Sequence, residues 1–423
     1  MERIFVRSAD CSLLEVVVGK RNPLCLIVIA PVLAGALLPS FGWAQGKPPI
    51  KVGALFQLAG PKSEYGRHGS QGVKMAVKEI NERGGILGRT LQVFVTHEGT
   101  ATTGAQEARR YILEDKVDFL VGGDSSSVAL AVSAEAKKHR KIVLFTHAGA
   151  DQLTGKACHR YAFRVVDNAG MNARAAAFVM RNKMAKRWYS IGPDSEFGRS
   201  AWEEFRLAIL KVNPDALFVG ESWLKPWTSD YTNVLDAAVT AKPDAVWSTL
   251  EGNDLVTFVR QAQSFGFFER VKFFVNPAGA SLAVLGPLGD KMPGGLWVST
   301  RYWFLYPDGV ENQVFVKAYQ ALYGEYPADV ALSSYSAIQL LKRVIEEVGS
   351  LDTEKIVARL EGITYRDPEG VKTIRSEDHQ VIKDVVWGRT TKSSEYPFRI
   401  LDDLVVIPGE ELVRSVDETG CQM

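Results

Sequence analysis

Cysteine and histidine are the scarce residues of this 423-residue chain, four and six of them, widely scattered. That scatter excludes zinc ribbons and disulfide-dense scaffolds. There is no surplus of either charge: 50 Lys plus Arg against 49 Asp plus Glu leave +1. Such a balance carries no footprint for binding nucleic acid. Catalytic signatures are missing too. No Gly-x-Gly-x-x-Gly follows the first strand, and no Gly-x-Ser-x-Gly elbow occurs. The stretch from Gly149 to Gly155-Lys156 has one residue too many for a phosphate loop, with Ala157 where Ser or Thr would hold magnesium. His139, His147 and His159 are not at metal-ligand spacing. No cofactor, metal or enzymatic role is therefore expected, although a catalytic site assembled from distant residues stays open. What remains is a globular composition, 46% apolar and 23% charged, long enough for two or three domains.

The N-terminus stands apart. Leu24–Leu38 is an apolar run of 15 residues, shorter than the roughly 20 of a membrane-spanning helix. Lys20 and Arg21 precede it, and the small residues Gly42 and Ala44 follow. Residues 1–44 thus read as a secretory signal peptide cut after Ala44, the alternative being an N-terminal anchor. Asp10 and Glu15 are unusual in such a leader, which fits a start codon assigned too far upstream. The mature chain then keeps only Cys158 and Cys421. In an oxidising compartment these two are expected to pair, fastening the C-terminal tail to the body.

From Ile50 onward, short apolar runs alternate with helical stripes. Runs at Ile50–Leu55, Leu91–Thr96, Phe119–Val121 and Ile142–Phe145 read as buried strands. Val73, Ala76, Val77 and Ile80 form a helical stripe between the first two, closed by Gly84-Gly85. The pattern restarts after Arg164, with strands at Tyr189–Ile191, Ala216–Val219, Ala245–Thr249, Lys272–Val275 and Leu296–Thr300. Two long helices follow, then strands at Val371–Ile374, Val381–Trp387 and Leu404–Ile407. Strict alternation implies parallel sheets with helices on both faces, an α/β fold in two lobes.

Particular motifs lie along this frame. Residues 52–93 hold a strand, a loop with Gly60-Pro61 and Tyr65-Gly66, a helix, then Ile80-Asn81 and Gly84-Gly85-Ile86 before Gly88. FLVGGDSSS follows at 119–127, IVLFT at 142–146 with Ala148-Gly149-Ala150, Phe163-Arg164 before Asn168, and Asp194 before Phe197-Gly198. In this order they resemble the leucine/isoleucine/valine-binding protein family, the periplasmic receptors of branched-chain amino-acid-type ABC importers, over nearly all of residues 48–410. The resemblance implies a type I periplasmic binding protein: two Rossmann-like lobes joined by a three-crossing hinge, with the ligand in the cleft. Crossings would lie near 164–168, 299–303 and 362–370. Lobe one would comprise 48–165 plus 301–363, and lobe two 168–298 plus 366–423. A monomer that hands a small molecule to an inner-membrane permease is implied, and no catalysis. A ligand-sensing regulator of the same fold, or a secreted α/β enzyme, are the rival readings.

Ligands of open α/β sheets bind beyond the C-terminal strand ends. There Ser125, Ser126 and Ser127 open a helix, whose N–H groups and hydroxyls favour a carboxylate; Ser126 or Ser127 is expected to touch it. By resemblance, Tyr65 closes over the ligand and His147, Ala148 and Ala150 form the second binding loop. Phe197 replaces a family tyrosine, and Asp254 matches the acid that holds an α-amino group. Ala150 stands where amino-acid binders carry a threonine. That loss, with the more apolar Phe197, favours an apolar or aromatic carboxylic acid over leucine, isoleucine or valine, with amino acids or amides as the alternative. Trp223, Trp227, Tyr302 and Trp303 are further candidates for the cleft edge. Export is checked by intact-mass analysis of periplasmic protein, which should give a chain beginning at Gln45; full-length chain retained in the cytoplasm would refute it.

Overall fold

The computed structural model describes residues 47–225 and 228–423. The expected signal segment 1–44, its cut after Ala44, and Trp227 lie outside these residues. The first run comprises β1 (Ile50–Phe56), α1 (Ser63–Glu82), β2 (Leu91–His97), α2 (Ala101–Leu113), β3 (Phe119–Gly122), α3 (Ser126–His139), β4 (Val143–Phe145) and β5 (Ala162–Arg164). Its strands form a five-stranded parallel sheet, ordered β2-β1-β3-β4-β5. Val52 lies level with Val93 on one side and Phe119 on the other. β1 and β3 read as near-continuous apolar runs because helices bury both of their faces.

The second run comprises α4 (Ala169–Met180), β6 (Arg187–Pro193), α5 (Glu196–Val212), β7 (Leu217–Leu224), α6 (Thr232–Thr240), β8 (Ala245–Ser248), α7 (Gly252–Ser264), β9 (Phe273–Asn276), α8 (Leu282–Leu288) and β10 (Trp297–Thr300). The chain then returns through α9 (Val310–Tyr323), α10 (Asp329–Val348) and α11 (Thr353–Leu360). It ends in β11 (Thr364–Asp367), β12 (Gly370–Ile374), β13 (Val381–Ile382), β14 (Val385–Thr391), β15 (Ile400–Ile407) and α12 (Val416–Thr419). The second sheet has seven strands, ordered β15-β14-β10-β9-β8-β6-β7, with β14 and β15 antiparallel at one edge.

One expectation is corrected. The third crossing does not lie at 362–370, and residues 366–382 do not belong to the second lobe. Strands β11–β13 make a small antiparallel sheet of their own. Ile363, Tyr365, Ile374 and Val381 are buried with Ile50, Val52, Phe119, Ile338 and Leu341 in the core of the first lobe. The expected single strand 381–387 is broken at Lys383-Asp384: β13 stays with the first lobe, while β14 pairs with β10 in the second. The chain crosses for the third time between them.

The three crossings are knotted by buried polar groups. Arg164 pairs as a bridge with Gln380, and its guanidinium donates to the Gln380 side chain at 2.7 Å. Lys383, with a side chain only 3% exposed, lies where all three segments meet. Its ammonium donates to the Arg301 carbonyl at 2.6 Å, and sits 3.3 Å from the Asp167 carboxylate and 2.7 Å from Glu369. Although burial works against it, the field of Lys383 and then Arg301 holds the Asp167 carboxyl below the usual carboxylate range. Cys158 and Cys421 are bonded, their Cα atoms 5.5 Å apart.

Replacing Lys383 by Met keeps the stem and removes the charge, stranding a buried carboxylate. A loss of about 3–5 kcal/mol of stability is expected, measured by urea unfolding; a loss below about 1 kcal/mol would show that the crossings do not depend on this ammonium.

Candidate functional site

The strand ends of the two lobes face each other across a cavity of about 220 Å³, the size for a small metabolite rather than a drug-sized ligand. The loop after β1 contributes Gln57, Pro61 and Lys62, and the loop after β3 contributes Ser125, Ser126 and Ser127. From the second lobe come Pro193, Ser195, Glu196 and Phe197 after β6, and Leu250, Glu251 and Asp254 after β8.

The serine loop is tied down from behind by a carboxylate of the protein itself. Glu98, fully buried, accepts the backbone N–H groups of Asp124 at 2.9 Å and Ser125 at 2.7 Å. Burial and the neighbouring Asp124 push the Glu98 carboxyl well above the usual range. Asp124 in turn accepts the Gln57 N–H at 2.6 Å. The two sequence candidates therefore differ. Ser126 is buried, and its hydroxyl accepts the Ala150 N–H at 3.2 Å, holding one binding loop against the other. Ser127 stays exposed at the cavity, its Oγ 3.4 Å from that of Ser125.

The opposite wall is acidic. Glu251 precedes α7, and Asp254 lies in its first turn. Lys62 of the first lobe pairs with Glu251 of the second at 2.5 Å, and the Asn253 N–H donates to the Pro61 carbonyl at 3.1 Å. Gly252 makes this approach possible: at φ +54°, a Cβ would lie 2.6 Å from the Pro61 oxygen and 3.2 Å from the Tyr65 ring. Glu196 accepts the Gln152 amide across the same gap at 2.6 Å. The lobes are thus in contact around the cavity. Burial, and then Glu251, push the Asp254 carboxyl up to about 6 against the pull of Lys62.

Ser126, Ser127, Phe197 and Asp254 are brought together on the cavity wall as the sequence suggested. Tyr65, His147, Ala148 and Ala150 are not on that wall. They are almost fully buried behind it, the Tyr65 and His147 rings 4.6 Å apart. Burial, followed by the fields of Arg301 and Lys62, keeps the His147 ring well below its usual range and so neutral. Tyr302 and Trp303 belong to the apolar core, and Trp223 lies under the Arg199 guanidinium at 4.6 Å. Sequence reasoning missed Lys62 and Glu251. Lys62 directly follows the Gly60-Pro61 turn, and Glu251 directly precedes the glycine of a strand-to-helix junction; those positions were the available signals. Among the described residues no three His, Cys, Asp or Glu side chains group as metal ligands, and no helix is long and apolar enough to cross a membrane.

A two-lobed α/β frame, three crossings and an interlobe cavity at the strand ends are what a solute receptor requires, and the sequence matches the periplasmic binding protein family model over residues 49–394. The chain belongs to the periplasmic binding protein family. It is 25% identical over 404 residues to Leu/Ile/Val-binding protein homolog 4 of Brucella abortus, covering 89% of this chain and 92% of that protein. The amino acid ABC transporter substrate-binding protein of Pseudomonas fluorescens Pf-5 superposes with a TM-score of 0.79 at 26% identity, over 89% of this chain and 99% of that one. A Rhodopseudomonas palustris BisB5 solute-binding protein, in complex with 3,4-dihydroxy benzoic acid, shares the fold with a TM-score of 0.76 at 19% identity, over 88% and 99%. The chain is accordingly a solute-binding protein of the ABC-transporter type, and its family and neighbours are receptors rather than enzymes.

Asp254 gives a test of the cleft's charge. A carboxyl near 4 when unfolded and about 6 when folded binds its proton more tightly in the folded state. Its charged form therefore costs stability as pH rises through that window, and the full cost is present above it. Asp254→Asn should raise stability at pH 7.5 by about 1 kcal/mol, the shift being discounted for the solvent that still reaches the group. At pH 4 the gain should vanish. Urea unfolding at both pH values checks this, and a loss of stability at pH 7.5 would contradict it.

Proposed function

We propose that this receptor binds a small amino acid with an apolar side chain and delivers it to an ABC importer. One observation carries the reading: the cavity is bipolar. On the first lobe, Ser127 and the open N-terminus of α3 offer donors to a carboxylate. On the second, Glu251 and Asp254 offer acceptors to an ammonium, and among the described residues of the wall only Lys62 opposes them. Pro61, Pro193, Phe197 and Leu250 supply the apolar surface. The names of the Brucella relative and the Pseudomonas neighbour support the same class.

Ala150 lacks the hydroxyl that would favour an amino acid over an aromatic acid. That side chain is not on the cavity wall; the residue takes part through its backbone N–H, which any residue but proline supplies. Phe197 still favours a planar ring, so an aromatic acid is the second reading. Under either, we place the protein in the periplasm after removal of residues 1–44, acting as a monomer on an inner-membrane permease. Ligand recognition falls to Ser127, Phe197, Glu251 and Asp254, with Ser126 on the wall bracing the Ala150 loop and Tyr65, His147, Ala148 and Ala150 shaping the wall from behind.

Calorimetry against leucine, valine, isoleucine and alanine, beside benzoate, 4-hydroxybenzoate and simple amides, tests the proposal. Binding of the amino acids without the benzoates is expected. Ser127→Ala should weaken it by about 1.5–3 kcal/mol, the range for a hydrogen bond to a charged group. Asp254→Asn should weaken amino acids and leave any benzoate binding unharmed. Binding of benzoates alone would overturn the amino-acid reading.

A further inference from the structure

The C-terminal tail makes a fourth connection between the lobes. It leaves β15, the edge strand of the second sheet, and its Gly409 N–H donates to Asp384 at 3.1 Å beside the third crossing. Leu412 is then buried in the core of the second lobe with Trp188 and Trp202, and Arg174 donates to its carbonyl. Beyond that anchor the tail changes lobes. Arg375 of the first lobe donates to the Arg414 carbonyl at 2.7 Å. The Arg414 guanidinium stands between the lobes: it pairs with Glu204 on α5 and lies 3.8 Å from Asp151 of the first lobe. α12 packs against the turn at Asp151–Thr154, where Gly155 approaches the Thr419 carbonyl. The tail finally bonds through Cys421 to Cys158, which lies in the first lobe ahead of β5.

We propose that this tail is a covalent strap that limits how far the cleft opens. Leu412 to Cys421 is a short span, reaching about 30 Å when fully drawn out, and α12 takes up part of it in the compact form. Opening must stretch that span, unwind α12 and pull Arg414 from one of its two carboxylates. With the bond in place, widely open states are removed from the ensemble, and the equilibrium lies nearer the closed, ligand-ready form. None of this depends on which ligand the cleft takes.

The test is therefore made without ligand. Small-angle X-ray scattering is recorded on the mature chain, on the Cys158→Ser/Cys421→Ser double variant, and on the wild-type chain reduced with a phosphine under native conditions. A compact chain of this length has a radius of gyration of roughly 21 Å, and release of the strap should raise it by about 1 Å with a broader distance distribution. Arg414→Ala, with the disulfide intact, should raise hydrogen exchange in α12 without changing the radius. Unchanged scattering from the released protein would overturn the proposal, provided a native circular dichroism spectrum and a cooperative melt show it folded. If the double variant fails to fold, the reduced wild-type chain decides by the same criterion.

Discussion

Lys383 is the point at which the three chain segments joining the lobes meet, and the remaining architecture is arranged around that meeting. One ammonium satisfies a carbonyl of the second crossing and a carboxylate of the first, while its own backbone is the third. Glu369 closes the cluster from the first lobe. A charge buried this deeply is tolerated only when paired and hydrogen-bonded, and removing either partner leaves an uncompensated ion. The cluster therefore fixes where the crossings lie side by side. The nearby Arg164–Gln380 contact adds a clamp from a guanidinium to a neutral amide, and the Gln380 amide also donates to the Val166 carbonyl at 2.9 Å. Beside these directional polar contacts lies an apolar cluster in which Tyr302, Trp303 and Phe304 of the second crossing are buried with Met75 and Leu332 of the first lobe and with Tyr189 and Phe398 of the second.

The parallel framework was legible because buried strands write themselves as short apolar runs. IKVGALF and FLVG are examples, each followed by a helical stripe. What escaped was either too short or too dependent on tertiary contact. β5 has three residues, and α8 carries Pro287. The sequence VIKDVVW reads as one strand with a polar interruption. It is divided between two sheets only because Lys383 finds its partners on the other crossings. Of the cavity-lining residues, Ser127 could be named from its place just beyond a strand end, and Phe197 and Asp254 only through the family resemblance. The Lys62–Glu251 pair could not, since its members are far apart in the chain and on opposite lobes. Ala150 carries less weight for a simpler reason. Its identity was informative only if its side chain faced the ligand, and it is the backbone N–H of that residue that faces Ser126.

Preorganisation of the serine loop has a cost that is met inside the first lobe. Two of the N–H groups ahead of α3 are already taken by Glu98. A donor pair that would otherwise be free to accept an anion is used to hold the loop's shape, leaving the later donors and the Ser127 hydroxyl at the cavity. Asp124 is drawn into the same network, and burial raises its carboxyl to about 7. Two neighbouring buried carboxyls are difficult to ionise together, and the backbone N–H groups of Asp124, Ser125 and Gln57 that they accept offset part of that burial.

The cavity as a whole is not balanced in that way. Glu251, Asp254 and Glu196 stand on the second lobe, while among the described residues Lys62 is the one cationic side chain on the cavity wall. Lys62 is committed to Glu251 at 2.5 Å, and among the described residues Asp254 has no ion-pair partner. Its raised carboxyl is the record of that cost. Closing the lobes removes water from these carboxylates, and the closed form without a cationic or hydrogen-donating guest is correspondingly strained. A guest that supplies such a group gains its interaction chiefly in the closed form, because Asp254 and the serine loop face one another only when the lobes meet. Ligands shift a conformational equilibrium only by such a difference. Under the proposed function, the same asymmetry of charge adds a ligand-dependent bias to the closure that the C-terminal strap favours already.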